Sequence, residues 1–179
     1  NALLEGHFIL SSGLHSPQYI QCAQLMSKPD KANKICVSLS EKIKKEMGEF
    51  DLILSPAMGG IVIGYELGRI LKKETIFAER VDGKFKLRRD FYIGKDKRVI
   101  IVEDVITTGK SSLECSKLVS EAGAKINGYV CIIDRSNNKS LIKNKIVSEI
   151  KLDIPTYTKE NIPKDLQAIK AIKPGSRNL

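Results

Sequence analysis

Residues 99–111, VIIVEDVITTGKS, constrain the fold more than any other part of the chain. Val99, Ile100, Ile101 and Val102 form an unbroken β-branched run. A run of that kind suits a strand covered on both faces, as in a parallel sheet with helices packed against each side. Two carboxylates, Glu103 and Asp104, follow it directly. Charge at that point is costly to hold unless a polar ligand or cation compensates it. A turn is expected over residues 103–111, feeding a helix that carries Leu113, Leu118 and Val119 and stops at Gly123.

The rest of the chain repeats this alternation. Ile35, Leu39 and Ile43 recur every fourth residue, which predicts a helix over 31–47 with Gly48 as its stop. Residues 51–54 read as a short strand, 55–60 (SPAMGG) as a turn, and 61–72 as a helix. Strands are expected at 75–78 and 129–133. The charged stretch 80–97 contains Gly83 and Gly94 and no core pattern, so it reads as a hairpin or a mobile loop. SSG and LHSP near the N-terminus read as loop punctuation. The succession predicts an α/β fold with a central, mostly parallel sheet flanked by helices. With 179 residues and no linker or repeat, one domain over 1–179 is expected. Asn1 is not a natural start, so native N-terminal sequence is expected before it.

In such a sheet, ligands bind beyond the carboxyl ends of the strands. Glu103 and Asp104 supply acceptor oxygens that suit sugar hydroxyls. Thr107, Thr108, Gly109, Lys110 and Ser111 place small hydroxyl residues around a glycine at a helix N-terminus, where backbone N–H groups attract phosphate. The competing reading is an N-capping turn beside solvated acids. TTGKS is not a P-loop, because Val105 stands where the first glycine would be required.

This stretch resembles the phosphoribosyl pyrophosphate (PRPP) motif of type I phosphoribosyltransferases. The resemblance implies that fold, with a small hood formed largely by the N-terminal region and a mobile loop. It implies that Glu103 and Asp104 bind the ribose hydroxyls and that the following residues, Val105, Ile106 and Thr107 through Ser111, line the PRPP site. Three further stretches resemble orotate phosphoribosyltransferases: residues 6–22 (GHFILSSGLHSPQYIQC), SPAMGG as the pyrophosphate loop with Ala57, Met58 and Gly59, and KPGSR at 173–177. The resemblance implies that Arg135 contacts the orotate carboxylate, with Thr107, Ser11 and Tyr19 near the base. Among the loop cations Arg80, Lys84, Lys86, Arg88 and Arg89, it points to Arg80, Lys84 and Lys86, with Asp104, as catalytic. It further implies Mg²⁺ carried on PRPP, in contact with Glu103 and Asp104 rather than held in a protein cage, and a homodimer.

The chain also departs from its relatives. Its loop, VDGKFKLRRDF, lacks the histidine of the common Lys-Asp-His-Gly core. Gly59 and Ser11 stand where some members carry lysine, and Tyr19-Ile20 replaces an aromatic pair. No Cys-rich element precedes KPGSR.

Bulk properties limit the alternatives. The net charge of +9 comes from lysines spread along the chain rather than blocked, which argues against nucleic acid as a partner. No apolar run is long enough to span a membrane. Cys22, Cys36, Cys115 and Cys131 form no CxxC pair, and reduced thiols in a cytoplasmic protein are expected. His7 and His15 lack metal-ligand spacing. Two other readings remain: the same fold acting on a purine or another pyrimidine, and a PRPP-sensing regulator that binds nucleic acid and catalyses nothing.

Overall fold

The computed structural model describes residues 2–10, 13–137 and 139–174. In chain order the elements are β1 (Leu3–Ile9), β2 (His15–Ile20), α1 (Cys22–Met26), α2 (Pro29–Met47), β3 (Leu52–Pro56), α3 (Gly59–Leu71) and β4 (Glu74–Val81). Then come β5 (Lys84–Leu87), β6 (Arg98–Ile106), α4 (Lys110–Glu121), β7 (Lys125–Asp134), β8 (Ile146–Lys151), a 3-10 turn (Lys159–Asn161) and α5 (Lys164–Gln167). The chain divides into two compact units, one of residues 26–152 and one assembled from 1–25 and 153–179.

The larger unit is built on a six-stranded sheet in the order β5-β4-β3-β6-β7-β8. Every neighbouring pair is parallel except β4–β5, which is an antiparallel hairpin. The expected central, mostly parallel sheet is therefore present. Its two faces follow from the two-residue period of a strand. Leu52, Leu54, Val99, Ile101 and Cys131 join a buried cluster with Cys115 and Val119 of α4. The alternate residues, Ile53, Ile100 and Val102, are fully buried on the other face, where α3 packs on β3 and β6. Each such side chain contributes roughly 1.5–3 kcal/mol of transfer free energy.

Local chemistry accounts for the helices. α2 opens with Pro29 in its first turn, where the missing N–H costs nothing, and buries Ala32, Cys36, Leu39 and Ile43 at three- and four-residue spacing. α3 ends with Lys72 in the left-handed region, and Lys73 N–H donates to the Gly68 carbonyl at 2.9 Å. The starts of β3 and β6 are clamped by Asp51 and Arg98. The Arg98 backbone N–H and Nε donate to Asp51 Oδ2 at 2.9 and 3.1 Å, and Nη2 donates to Oδ1 at 3.0 Å. These bonds hold the Asp51 carboxyl well below the usual carboxylate range.

The smaller unit centres on the antiparallel hairpin β1–β2. The segment after residue 153 closes on it through a parallel bridge from Phe8 to Ile172 and an antiparallel bridge from His15 to Tyr157. Between the strands, His7 and His15 are both buried and joined by a 2.7 Å Nε2–Nδ1 hydrogen bond.

Three expectations need correcting. The apolar strand does not end at Val102: β6 continues to Ile106, because β7 keeps pairing with it through Glu103↔Cys131, Val105↔Ile133 and Ile106↔Asp134. Glu103 and Asp104 are thus strand residues, and Lys110 and Ser111 belong to the first turn of α4 rather than to a loop. LHSP is largely strand, since His15, Ser16 and Pro17 open β2. β8 carried no recognised signal: Ile146–Lys151, IVSEIK, shows no strict apolar–polar alternation, and among the described strands it pairs with β7 at the edge of the sheet.

Candidate active site

Because β3, β4, β6 and β7 run parallel, their carboxyl ends share one edge of the sheet. The Ala57 N–H donates to the Ala78 carbonyl, and the Arg135 N–H to the Ile106 carbonyl, both at 2.8 Å. The turn after β3, the end of β4, the loop after β6 and the residue after β7 are therefore tied side by side. This edge gathers Ala57, Met58, Gly59, Arg80, Glu103, Asp104, Thr107 and Arg135.

The adjacent acids leave β6 on opposite faces. Glu103 turns toward α4, where the buried Ser112 hydroxyl donates to its Oε1. Asp104 turns toward α3. Its Oδ1 accepts from the Val105 N–H at 2.9 Å, and its carboxylate lies against Gly59, the first residue of α3. A Cβ at position 59 would come within 2.7 Å of Asp104 Oδ2. Glycine there, where some relatives carry lysine, is what lets the carboxylate reach the helix N-terminus. Burial raises the Asp104 carboxyl above its ordinary value, partly offset by the Val105 hydrogen bond.

Gly109 makes the next turn. Its φ is +77°, and a Cβ would sit 2.7 Å from Ile142 Cδ1 and 2.9 Å from Ser140 Oγ. Both the backbone region and the space require glycine. The Thr108 carbonyl accepts from the Leu141 N–H at 3.0 Å, so residues 139–142 brace this loop from behind. Thr107, Thr108 and Lys110 are exposed and Ser111 is half-buried; the N-cap residue Gly109 has no side chain to cap α4, and the Lys110 N–H makes a long 3.4 Å bond to Thr108 Oγ1. Helix N-terminal donors beside exposed hydroxyls can take a phosphate. In the turn after β3, Met58 is 79% exposed and Ala57 half-buried, and the Ala57–Met58 peptide is cis.

The charged stretch forms the β4–β5 hairpin, and its cations are largely engaged. The Arg80 guanidinium donates to Glu114 Oε2 on α4 at 2.6 Å and to the Gly83 carbonyl at 2.5 Å, and lies 4.2 Å above the Phe85 ring. Arg88 and Arg89 both reach Glu79, at 3.4 and 2.7 Å. Lys86 is exposed, 4.0 Å from Asp82. Lys84 is exposed and makes no ion pair with the described residues.

Arg135 is half-buried immediately after β7. Tyr19 lies on β2 in the smaller unit, its ring 5.7 Å from that of Phe8. Ser11, and Gly175, Ser176 and Arg177 of KPGSR, fall outside the described residues. Sequence reasoning missed Ser112 and Glu114, the α4 partners of Glu103 and Arg80. Both directly follow the motif, but nothing in their identity announces the contact. It also missed the 139–142 brace, which carries no motif.

Among the described residues, no group of three or more His, Cys, Asp or Glu could hold a metal ion. No helix among them is long and apolar enough to cross a membrane.

Comparison with known proteins places this geometry in context. A family model described as a phosphoribosyl transferase domain matches residues 28–163. An orotate phosphoribosyltransferase from Parvibaculum lavamentivorans is 46% identical, with 99% of this chain and 92% of the relative covered. One from Erythrobacter litoralis is 43% identical, covering 98% and 92%. Among solved structures, an orotate phosphoribosyltransferase from Aeropyrum pernix superposes with a TM-score of 0.71 at 24% identity, over 84% of this chain and 88% of that one. An adenine phosphoribosyltransferase from Thermoanaerobacter pseudethanolicus gives 0.65 at 20% identity, over 75% and 88%. The two solved structures share only the fold, whereas the two relatives match in sequence over nearly their whole length. The chain belongs to the orotate phosphoribosyltransferase family.

Proposed function

We propose that this protein transfers the 5-phosphoribosyl group of PRPP to orotate, giving orotidine 5′-monophosphate and pyrophosphate, a step of pyrimidine biosynthesis. The observation that carries this reading is the end of β6. An acid pair and a glycine-capped helix N-terminus lie next to one another there, in a chain 46% identical to a protein named for the reaction.

Glu103 and Asp104 hold the two ribose hydroxyls, and Thr107 through Ser111 hold the 5-phosphate on the N–H groups of α4. Val105 and Ile106 carry the strand between these subsites. Ala57, Met58 and Gly59 offer backbone N–H groups to pyrophosphate. Arg135 pairs with the orotate carboxylate in the planar geometry that guanidinium favours, and Thr107 borders the base.

The base nitrogen attacks the anomeric carbon as the bond to pyrophosphate breaks. Positive charge develops on the ribose and negative charge on the leaving group. The acids act by positioning the sugar. Arg80, Lys84 and Lys86 of the β4–β5 hairpin stabilise the departing pyrophosphate. Lys84, exposed and without an ion pair among the described residues, is the readiest of the three; Arg80 must first leave or share Glu114. Closure of the hairpin as a lid would exclude water and suppress hydrolysis of PRPP.

The donor set fits a hard cation carried by the substrate. Asp104, whose buried carboxylate would be relieved by a nearby cation, and Glu103 are the residues that would meet Mg²⁺ arriving with PRPP. When bound, the ion would offset charge on the leaving group.

The chain is proposed to work as one phosphoribosyltransferase domain and to pair as a homodimer. Val62 and Tyr65, one turn apart on α3, are 51% and 68% exposed, and Val37 on α2 is 40% exposed. A row of apolar side chains of this kind is common at subunit interfaces. The unbridged cysteines are in keeping with a reducing, cytoplasmic setting.

The test is turnover with Mg²⁺ and PRPP, following the absorbance of orotate. Loss of orotate is expected, and Arg135→Ala should mainly raise the KM for orotate. Turnover of another base with no loss of orotate would refute the assignment.

A further inference from the structure

We infer that Ser112 is a positioning residue for the reaction: its hydroxyl, on the first turn of α4, aims the Glu103 carboxylate at the sugar. The inference rests on the proposed role of Glu103 in holding ribose. Ser112 is fully buried, and its hydroxyl proton goes to Glu103 Oε1. A buried hydroxyl needs a partner, and a carboxylate next to apolar surface needs a donor. Each satisfies the other. Around them are the buried Cys115, one turn further along α4, and Cys131, opposite Glu103 on β7. Burial and the nearby Glu103 push the Cys115 thiol far above its ordinary value, so it supplies no anion and only a weak donor.

The two acids are oriented by unrelated means. Asp104 is fixed by its own strand, through the Val105 N–H, and by the space that Gly59 leaves. Glu103 takes its direction from a helix. The same helix, which begins at Lys110 after the N-cap residue Gly109, presents its N-terminus where the 5-phosphate would bind. Ser112 therefore links phosphate seating to the orientation of the ribose acid: once phosphate fixes the first turn of α4, the Glu103 carboxylate is fixed with it. A rigid support of this kind is what holds a binding group within the narrow geometry that positioning demands.

Titration calorimetry of PRPP with Mg²⁺, together with steady-state kinetics, tests this on Ser112→Ala, Glu103→Gln and the double variant. Ser112→Ala should weaken PRPP binding at least about tenfold, the expected effect of removing a hydrogen bond to a charged group. The KM for orotate should change less than about twofold, because the base lies outside this contact. In the Glu103→Gln background, Ser112→Ala should have little further effect, since the two residues act as one unit. Ser112→Thr keeps the hydroxyl and should recover PRPP affinity. Unchanged PRPP affinity in Ser112→Ala, with orotate turnover intact, would overturn the inference and leave the proposed function standing. Independent effects of the two single substitutions would overturn it as well. A loss of urea stability without a change in affinity would show a purely structural serine. If the unaltered chain binds PRPP but does not consume orotate, the substrate assignment fails while the calorimetric comparison still decides the role of Ser112.

Discussion

Replacing Gly109 by alanine should destabilise the protein by about 2–5 kcal/mol, from two separable sources. The first is backbone conformation. At φ +77° an L-residue pays roughly 1–2 kcal/mol for the left-handed region. The second is space. The new Cβ would lie 2.7 Å from both Cδ1 and Cγ1 of Ile142, whereas carbon atoms rest at about 3.5–4.0 Å. Ile142 would have to recede by about an ångström into the cluster that contains Ile106, Cys131 and Cys115. Such overpacking costs about 1–3 kcal/mol. Equilibrium urea unfolding measures the sum, and an unchanged slope would locate the effect in the native state. Ile142→Val removes Cδ1 and separates the two sources. Alone it should cost about 0.5–1.5 kcal/mol as a small cavity. Combined with Gly109→Ala it should cost about 1 kcal/mol less than the two changes added, because the contact with Cδ1 is gone and only that with Cγ1 remains to be relieved. A loss below about 0.5 kcal/mol for Gly109→Ala, or strict additivity in the pair, would refute the account of this turn.

Two further outcomes follow from the electrostatics. Burial raises the folded-state value of Asp104 above its unfolded one, so its ionised form is a cost to the apo protein at neutral pH, relieved as pH falls through the folded value. Asp104→Asn should therefore raise the melting temperature of the apo protein at pH 7–8 while weakening PRPP use. A lowered melting temperature at that pH would count against the burial argument. The thiols of Cys36, Cys115 and Cys131 are buried, and burial pushes Cys36 up to about 12. At pH 8 a thiol reagent should label these three only as the protein unfolds, which mass spectrometry with and without denaturant would check.

The parallel sheet was legible because its central strands are continuous β-branched runs, and only burial on both faces rewards such runs. Val99 to Val102 announced β6 in this way. Its extension to Ile106 was not legible: Glu103 and Asp104 look like a strand's end, and only pairing with β7 keeps them in the ladder. The hairpin β1–β2 was hidden for a related reason. His15, Ser16 and Pro17 have poor strand propensity, and their strand is stabilised by residues about 140 positions later, through the His15–Tyr157 bridge. The order of acids, hydroxyls and glycine marked the candidate site in the sequence. What supports them was not marked. Ser112, Glu114 and the 139–142 brace matter through contact, and a serine on a helix reads the same whether it faces solvent or a carboxylate.

The smaller unit is discontinuous in sequence, and this has a consequence for the order in which the molecule is made. Residues 1–25 find their partners, among them Tyr157, Ile169 and Ile172, only after residues 26–152 have been synthesised. At about 5–20 residues per second, β1 and β2 wait on the order of ten seconds for the segment that closes on them. The larger unit, one uninterrupted stretch, has all its own strands in hand before then. Within this stretch, folding in the cell thus runs from residues 26–152 outward, and residues 1–25, though translated before them, are enclosed after them.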